Sequence, residues 1–251
     1  MIVIKFGGHA MSGKPEWMAE IARRWQAGER YVVVHGGGPA IDDQLNRLGI
    51  ISEFVDGYRI TTPEIMSVVE SVLTGTVLRE VVRNLVAAGL PAVGVTGADG
   101  RLLEVKEISD GKYGLVGEVM AVNPELIETL IRAGFLPVVS PVSTDKTGRT
   151  LNINADIAAG AIAGALRASE TLFLTDVPGI YRTWPEKDSL IEKITADELR
   201  ALKFEAGMIP KVTAAINAVE SGAKSARILD GKSWSAFEAA LSGSGGTWVS
   251  A

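Results

Sequence analysis

YVVVHGGGPAIDD, residues 31–43, is the stretch whose reading decides the fold of this chain. A β-prone run at 31–35 enters three consecutive glycines, Gly36, Gly37 and Gly38, and Pro39 then opens an amphipathic segment with apolar Ile41, Leu45 and Leu48. The pattern predicts strand, tight glycine turn and helix. Glycines let the backbone approach a ligand closely and adopt positive φ, and the first N–H groups of a helix have no partner within it, so the junction suits an anion. A plain strand-to-helix turn needs only one glycine. Three in a row favour binding, without choosing between phosphate and carboxylate.

Around this stretch the composition is that of a globular α/β chain. With 251 residues, 47% hydrophobic and 22% charged, it can bury a sizeable core as one large domain or two closely joined lobes. The formal charge of −5 is spread along the sequence, leaving no basic stripe for nucleic acid and no polybasic membrane patch. The absence of cysteine excludes disulfides, thiolate zinc sites and cysteine nucleophiles, and two histidines, His9 and His35, make no histidine-rich metal site. No apolar run reaches about 18 residues, and the sequence enters a strand at once without a charged leader. A cytoplasmic protein with neither membrane nor nucleic acid as partner is expected.

Upstream, residues 2–6 form a short apolar strand interrupted by Lys5 and followed by Gly7 and Gly8, with a helix from near Pro15. A lysine near the end of a buried strand is costly to desolvate unless an anion meets it, or unless it snorkels to solvent. Residues 8–14 fit G-x-x-x-x-G-K, but Pro15 stands where a P-loop needs Ser or Thr for magnesium, which argues against one. Downstream, Asp56-Gly57 within residues 53–61 signals a hairpin that carries Arg59, a side chain suited either to clamping a carboxylate or to solvent. A long helical pattern runs from Thr62 to about Ala88, with more apolar surface than one face needs. Residues 91–96 and 136–140 read as buried strands, residues 101–105 and 113–122 as β-prone runs, and 123–133 as a helix. Strand and helix alternate, as in a parallel sheet covered on both faces.

The polar residues that stand out cluster further on. Asn152, Asn154 and Asp156 alternate just before an Ala-rich helix; capping accounts for one of them but not for all three. Residues 170–175 form a strand ending in a turn, 176–181, of the kind that faces a ligand in an open α/β sheet. Lys211 falls in the first turn of a helix, where a cation opposes the macrodipole, so its placement asks for a reason beyond an exposed surface charge. A last strand at 225–229 and a last helix at 234–241 complete the pattern.

Six segments in order, IKFGGHAM (4–11), VHGGGP (34–39), GYRIT (57–61), NINAD (152–156), TDVPGI (175–180) and GMIPK (207–211), resemble the motifs of the amino acid kinase family, and most closely its acetylglutamate kinase branch. The resemblance implies an open αβα sandwich with a mostly parallel central sheet. An N-terminal lobe of about 1–168 would hold the acyl amino acid, and a C-terminal lobe of about 169–251 the ATP. The implied reaction is phosphoryl transfer from ATP, with Mg2+ arriving on the nucleotide, to the γ-carboxylate of N-acetyl-L-glutamate in arginine biosynthesis. A carboxylate nucleophile is ionised at neutral pH, so the step needs no base; it needs positive charge and N–H donors around the phosphoryl group.

Carried over by resemblance, Lys5 and Lys211 stabilise the phosphoryl group and Asp156 orients both lysines. Gly37, Gly38, Arg59, Asn152 and Asn154 bind the substrate. Gly7, Gly8, Thr175, Asp176, Gly179, Tyr181, Gly207, Met208 and Ile209 line the phosphate and nucleotide side, and no protein metal ligand is assigned. Residues 75–79, GTVLR, depart from the Asn-Lys pair of many relatives, which bears on the substrate and dimer side. The extra N-terminal helix of arginine-inhibited hexameric relatives is missing, so a homodimer with little arginine inhibition is expected. The nearest alternative is a kinase of 2-aminoadipate linked to a small acidic carrier protein, whose substrate region usually has a serine before the arginine where this chain has Tyr58. A non-catalytic amino acid or nucleotide sensor would be expected to lose Lys5, Asp156 or Lys211, and all three are present.

Overall fold

A computed structural model describes residues 1–7, 15–108, 111–183, 186–204 and 208–251. The chain opens with β1 (Ile2–Phe6), α1 (Pro15–Gln26), β2 (Tyr31–His35) and α2 (Gly38–Leu48), followed by a hairpin of β3 (Phe54–Val55) and β4 (Tyr58–Arg59). Two helices, α3 (Pro63–Glu70) and α4 (Leu78–Ala87), lead to β5 (Ala92–Thr96), β6 (Leu103–Glu107), β7 (Val116–Val122) and α5 (Glu125–Arg132). The middle of the chain supplies β8 (Leu136–Ser140), β9 (Val142–Thr144), β10 (Thr150–Ile153) and α6 (Ala155–Ala165). The remainder supplies β11 (Glu170–Thr175), β12 (Lys193–Thr195), α7 (Ala196–Ala201), α8 (Ile209–Glu220), β13 (Ser225–Asp230), α9 (Trp234–Leu241) and β14 (Thr247–Ser250).

Eight strands form the central sheet in the order β12-β14-β13-β11-β1-β2-β8-β5, and all neighbours are parallel except β13 with β14. The expected open αβα sandwich is therefore the observed fold. β2 and β8 are buried along their whole length, as continuous apolar runs require when helices cover both faces. Side chains alternate across each strand. Val3, Val34, Val139 and Phe173 share one core with Ala159 and Ala163 of α6 and Ala214 and Ala218 of α8. Ile4, Val33, Val138 and Leu172 share the other with Trp17 of α1, Leu85 of α4 and Phe237 of α9. Trp17 and Phe237 stack there, with ring centroids 4.3 Å apart.

β1 is the strand from which the order departs in both directions, toward β2 on one side and β11 on the other. In open α/β sheets, ligands bind beyond the carboxyl ends of strands at such a switch point. A second sheet, β6-β7-β10-β9, and the β3-β4 hairpin are separate from the central sheet, and Asn152 of β10 and Arg59 of β4 line one cavity with Lys5 of β1. Among the described residues no helix is long and apolar enough to cross a membrane.

Four differences from the sequence reading have physical causes. The long helix between Thr62 and Ala88 is continuous, but Ser71–Val77 winds as a π-helix, which the apolar periodicity does not reveal. β6 and β7 start two and three residues later than the β-prone runs; before β6, Gly100 and Arg101 take up a left-handed turn. β12 and β14 are short strands defined by distant partners, and β9 is a short strand that pairs with β10 across the turn at 145–149. α7 starts at a reciprocal capping box formed by Thr195 and Glu198, a local signal independent of apolar periodicity.

Candidate active site

A cavity of about 230 Å³ lies beyond the ends of β1 and β2 and is lined by Lys5, Gly37, Gly38, Arg59, Asn152, Asn154 and Asp156. Every catalytic or substrate residue expected from sequence, apart from Lys211, is thus brought to one place. Lys5 is the penultimate residue of β1, and its side chain is 12% exposed. A cation so placed needs a partner. It has one in Asp156, whose Oδ1 lies 2.8 Å from Lys5 Nζ.

The three polar residues before α6 are sorted into three roles. Asn154 is the N-cap: its Oδ1 accepts the backbone N–H of Asp156 at 2.9 Å and of Ile157 at 3.2 Å. Its acceptor oxygen is thus committed to the helix, while the residue also lines the cavity. Asp156 sits in the first helical turn, where the macrodipole favours a carboxylate. Asn152 Nδ2 donates to Thr61 Oγ1 at 3.3 Å, and Thr61 Oγ1 donates to the Arg59 carbonyl at 2.8 Å, which ties β10 to β4 beside the cavity.

At the glycine turn the expected positive φ is absent, and packing is the reason for Gly37. None of Gly36, Gly37 and Gly38 has positive φ; Gly37 is extended, at −179°. A Cβ on Gly37 would lie 2.5 Å from Leu73 Cδ2, so the turn is packed directly against the π-helical segment. Gly7 passes close to β11, where a Cβ would meet the Leu174 carbonyl at 3.3 Å.

Lys211 is the third residue of α8, and its Nζ lies 3.4 Å from Asp176 Oδ1. Asp156 pairs with Lys5, and Lys211 makes an ion pair with Asp176. Burial would raise the Asp176 carboxyl, and the Lys211 ammonium beside it reverses this, so its pKa is lowered overall. The two cations still belong to one end of the molecule. α6 and α8 lie against each other, with Gly160 over the Ala214 carbonyl and Gly164 over Ser221, so they run side by side in the same direction. About one turn before the first of these contacts stand Asp156 and Lys211.

The other nucleotide-side expectations are placed as follows. Thr175 Oγ1 is engaged in the turn after β11, donating toward the Val177 carbonyl and accepting the Val177 N–H. Gly179 is required by packing, since a Cβ there would meet Thr247 Oγ1 at 2.6 Å. Tyr181 is buried and bridges to Leu190, Met208 packs against the α6–α8 core, and Ile209 is exposed. Gly8 and Gly207, with the P-loop-like stretch at 8–14, lie outside the described residues.

His35 ends β2 on the sheet face opposite Lys5, in register with Phe6. The Gly36 carbonyl, 3.0 Å from Nδ1, can only accept, so Nδ1 carries the proton; the buried Nε2 has no hydrogen-bond partner among the described residues. Burial holds its pKa down at about 4, against a smaller opposing effect of the Gly36 carbonyl. The unfolded chain, with a histidine near 6.5, therefore binds the extra proton between pH 4 and 6.5, and stability rises with pH across that window. Lowering the pH from 7 to 5 is expected to remove about 2 kcal/mol through this group. Glu20, held at about 2 by Arg23, contributes only at lower pH. Urea unfolding of His35→Asn should lose the slope between pH 7 and 5, and an unchanged slope would refute the assignment.

Sequence reasoning missed Asp42, Ser52, Phe54 and Leu73, all of which line the cavity or hold a residue that does. The apolar members are indistinguishable from core in a sequence; the polar ones carry their meaning only through Arg59.

A sequence profile described as the amino acid kinase family matches residues 1–230. The acetylglutamate kinase of Leifsonia xyli subsp. xyli is 46% identical over 245 residues, covering 92% of this chain and 81% of that protein. The acetylglutamate kinase of Acidothermus cellulolyticus is 48% identical over 246 residues, covering 92% and 83%. Among solved structures, smu.665 of Streptococcus mutans UA159 superposes with a TM-score of 0.84 at 29% identity, covering 99% of this chain and 98% of that one.

Proposed function

This chain belongs to the amino acid kinase family, and from that premise we infer that it phosphorylates the γ-carboxylate of N-acetyl-L-glutamate, giving N-acetyl-L-glutamyl 5-phosphate in arginine biosynthesis. The observation that carries the reading is the Lys5–Asp156 pair at the mouth of β1, in one cavity with the glycine turn and Arg59. ATP is the phosphoryl donor, and Mg2+ on its phosphates supplies charge neutralisation. Among the described residues no group of three or more His, Asp or Glu side chains forms a cage for a metal ion, and few protein ligands suffice for magnesium carried on phosphates.

The chain's own groups perform the rest. Lys5 Nζ meets the oxygens that gather charge as the phosphoryl group moves to the carboxylate, with Lys211 approaching from the neighbouring helix start. Asp156 keeps Lys5 aimed from a helix end that its Asn154 cap holds still. Arg59 and Asn152 hold the remaining carboxylate and the acetamido group. The acyl amino acid occupies the lobe of about 1–168 and the nucleotide that of about 169–251, a division supported by the sheet, in which β1, β2, β8 and β5 lie on one side and β11 to β14 on the other. The assembly is a homodimer, for which β5 is available as an edge strand of the sheet among the described residues; elution at monomer or hexamer size would contradict this.

Release of ADP across a panel of acceptors tests the reaction. N-acetyl-L-glutamate should exceed L-glutamate, L-aspartate and carbamate by at least about a hundredfold in kcat/KM, because a site built around an acetamido group leaves polar groups unpaired without it. Turnover of carrier-linked 2-aminoadipate alone would move the protein to lysine biosynthesis, and silence with all acceptors would indicate a sensor.

A further inference from the structure

We propose that Asp42 is a positioning residue for substrate recognition: with Ser52 and Phe54 it fixes the Arg59 guanidinium so that the Nε–Nη2 edge is presented to the α-carboxylate of the substrate. The inference deepens the proposed function and rests on it. Arg59 is buried, with a side chain 4% exposed, yet it lines the cavity. Its Nη1 donates to Asp42 Oδ1 at 2.7 Å and to Ser52 Oγ at 2.5 Å. The Phe54 ring covers it, with Cζ 4.6 Å from the ring centroid. These contacts come from α2, from the segment before β3 and from β3 itself.

Both hydrogen bonds end on the same nitrogen. Among the described residues none goes to Nε or Nη2, and these two carry the parallel N–H pair that matches a carboxylate. The γ-carboxylate must lie at Lys5 to react, so the α-carboxylate is the one left for this fork. Asp42 is about half exposed, and an ion pair of that kind contributes little to stability. What it contributes is orientation. Without it the guanidinium swings among rotamers, and ordering it falls to the substrate's binding energy.

Asp42→Asn removes the charge and keeps the shape. It is expected to raise KM for N-acetyl-L-glutamate about tenfold, while kcat, KM for ATP and Tm stay near wild type. With a substrate analogue carrying an α-carboxamide, wild type and variant should give the same KM, an equality that general loosening of the site would not produce. Asp42→Glu should recover part of the loss. A second measurement needs no substrate: in 1H–15N spectra of arginine side chains, with Arg59 assigned through Arg59→Lys, its Nη hydrogens should be resolved in the wild type and averaged in Asp42→Asn. An unchanged Arg59 signal, a fall in kcat with KM unmoved, or equal KM increases for acid and amide would overturn the proposal. If the wild type fails to use N-acetyl-L-glutamate while the Arg59 signals respond as expected, the substrate assignment falls and the positioning role of Asp42 stands.

Discussion

Lys5→Ala is expected to lower kcat by about a hundredfold to a thousandfold, the range seen when one preorganised donor is removed from a developing oxyanion. Two effects act in the same direction. The variant takes a positive charge from the place where the phosphoryl oxygens gather charge, and it leaves the Asp156 carboxylate, 2.8 Å from the missing ammonium, without its partner and facing the incoming phosphates. At an effective dielectric of about 20, two unit charges 4 Å apart interact by about 4 kcal/mol, so the orphaned carboxylate matters. Combining Lys5→Ala with Asp156→Asn should therefore restore part of the loss, and the two substitutions should not add. Steady-state kcat on the four proteins of this cycle measures the coupling. Strict additivity, or a kcat for Lys5→Ala within about tenfold of wild type, would remove Lys5 from its role.

Gly164→Val is expected to give the largest loss of stability of the substitutions considered, with a kinetic consequence at a distance. A Cβ at Gly164 would lie 2.8 Å from the backbone carbon and oxygen of Ser221, at the end of α8, and those atoms cannot swing aside as a long side chain can. Gly160 makes the same demand one turn earlier, where a Cβ would meet the Ala214 carbonyl at 2.9 Å. Overpacking this contact should cost about 2–3 kcal/mol, or roughly 4–12 °C in Tm for a chain of this size. Because Asp156 and Lys211 head the two helices, forcing α6 and α8 apart also misplaces the two cations relative to each other. A shift of about 1 Å can cost a hundredfold in rate; a fall in kcat of about tenfold or more is expected at temperatures where the variant remains folded. Thermal unfolding monitored with and without N-acetyl-L-glutamate checks the first part, and an unchanged Tm would show that the helices yield freely.

The sheet strands and the glycine turn were legible because their signals are local. Ile2–Phe6 and Tyr31–His35 are apolar runs closed by glycines, and a run of that kind has few alternatives to a buried parallel strand. Lys5 stood out for the same reason, as a charge in such a run. The cluster at Asn152, Asn154 and Asp156 was visible as a cluster, but only the fold distinguishes the cap from the ion-pair partner. The contact of Lys211 with Asp176 was not legible, because Asp156 and Asp176 both follow short strands and nothing local distinguishes them. Asp42 was beyond reach: it adjoins Asp43, an identical side chain that pairs with Arg47 on the helix surface, and its meaning comes from an arginine on a different hairpin. The π-helical turn was hidden because Leu73 and Val77 fit an ordinary helical pattern equally well, and its purpose, packing Leu73 onto Gly37, is tertiary.

The most direct test of the account is the trapping of its product. Purified protein with ATP, Mg2+ and N-acetyl-L-glutamate in the presence of hydroxylamine should yield the acyl hydroxamate, because an acyl phosphate is attacked readily by that nucleophile, and Lys5→Ala and Lys211→Ala should each nearly abolish it. Hydroxamate at wild-type levels from either variant, or none from the wild type, would contradict phosphoryl transfer to a carboxylate between these two lysines.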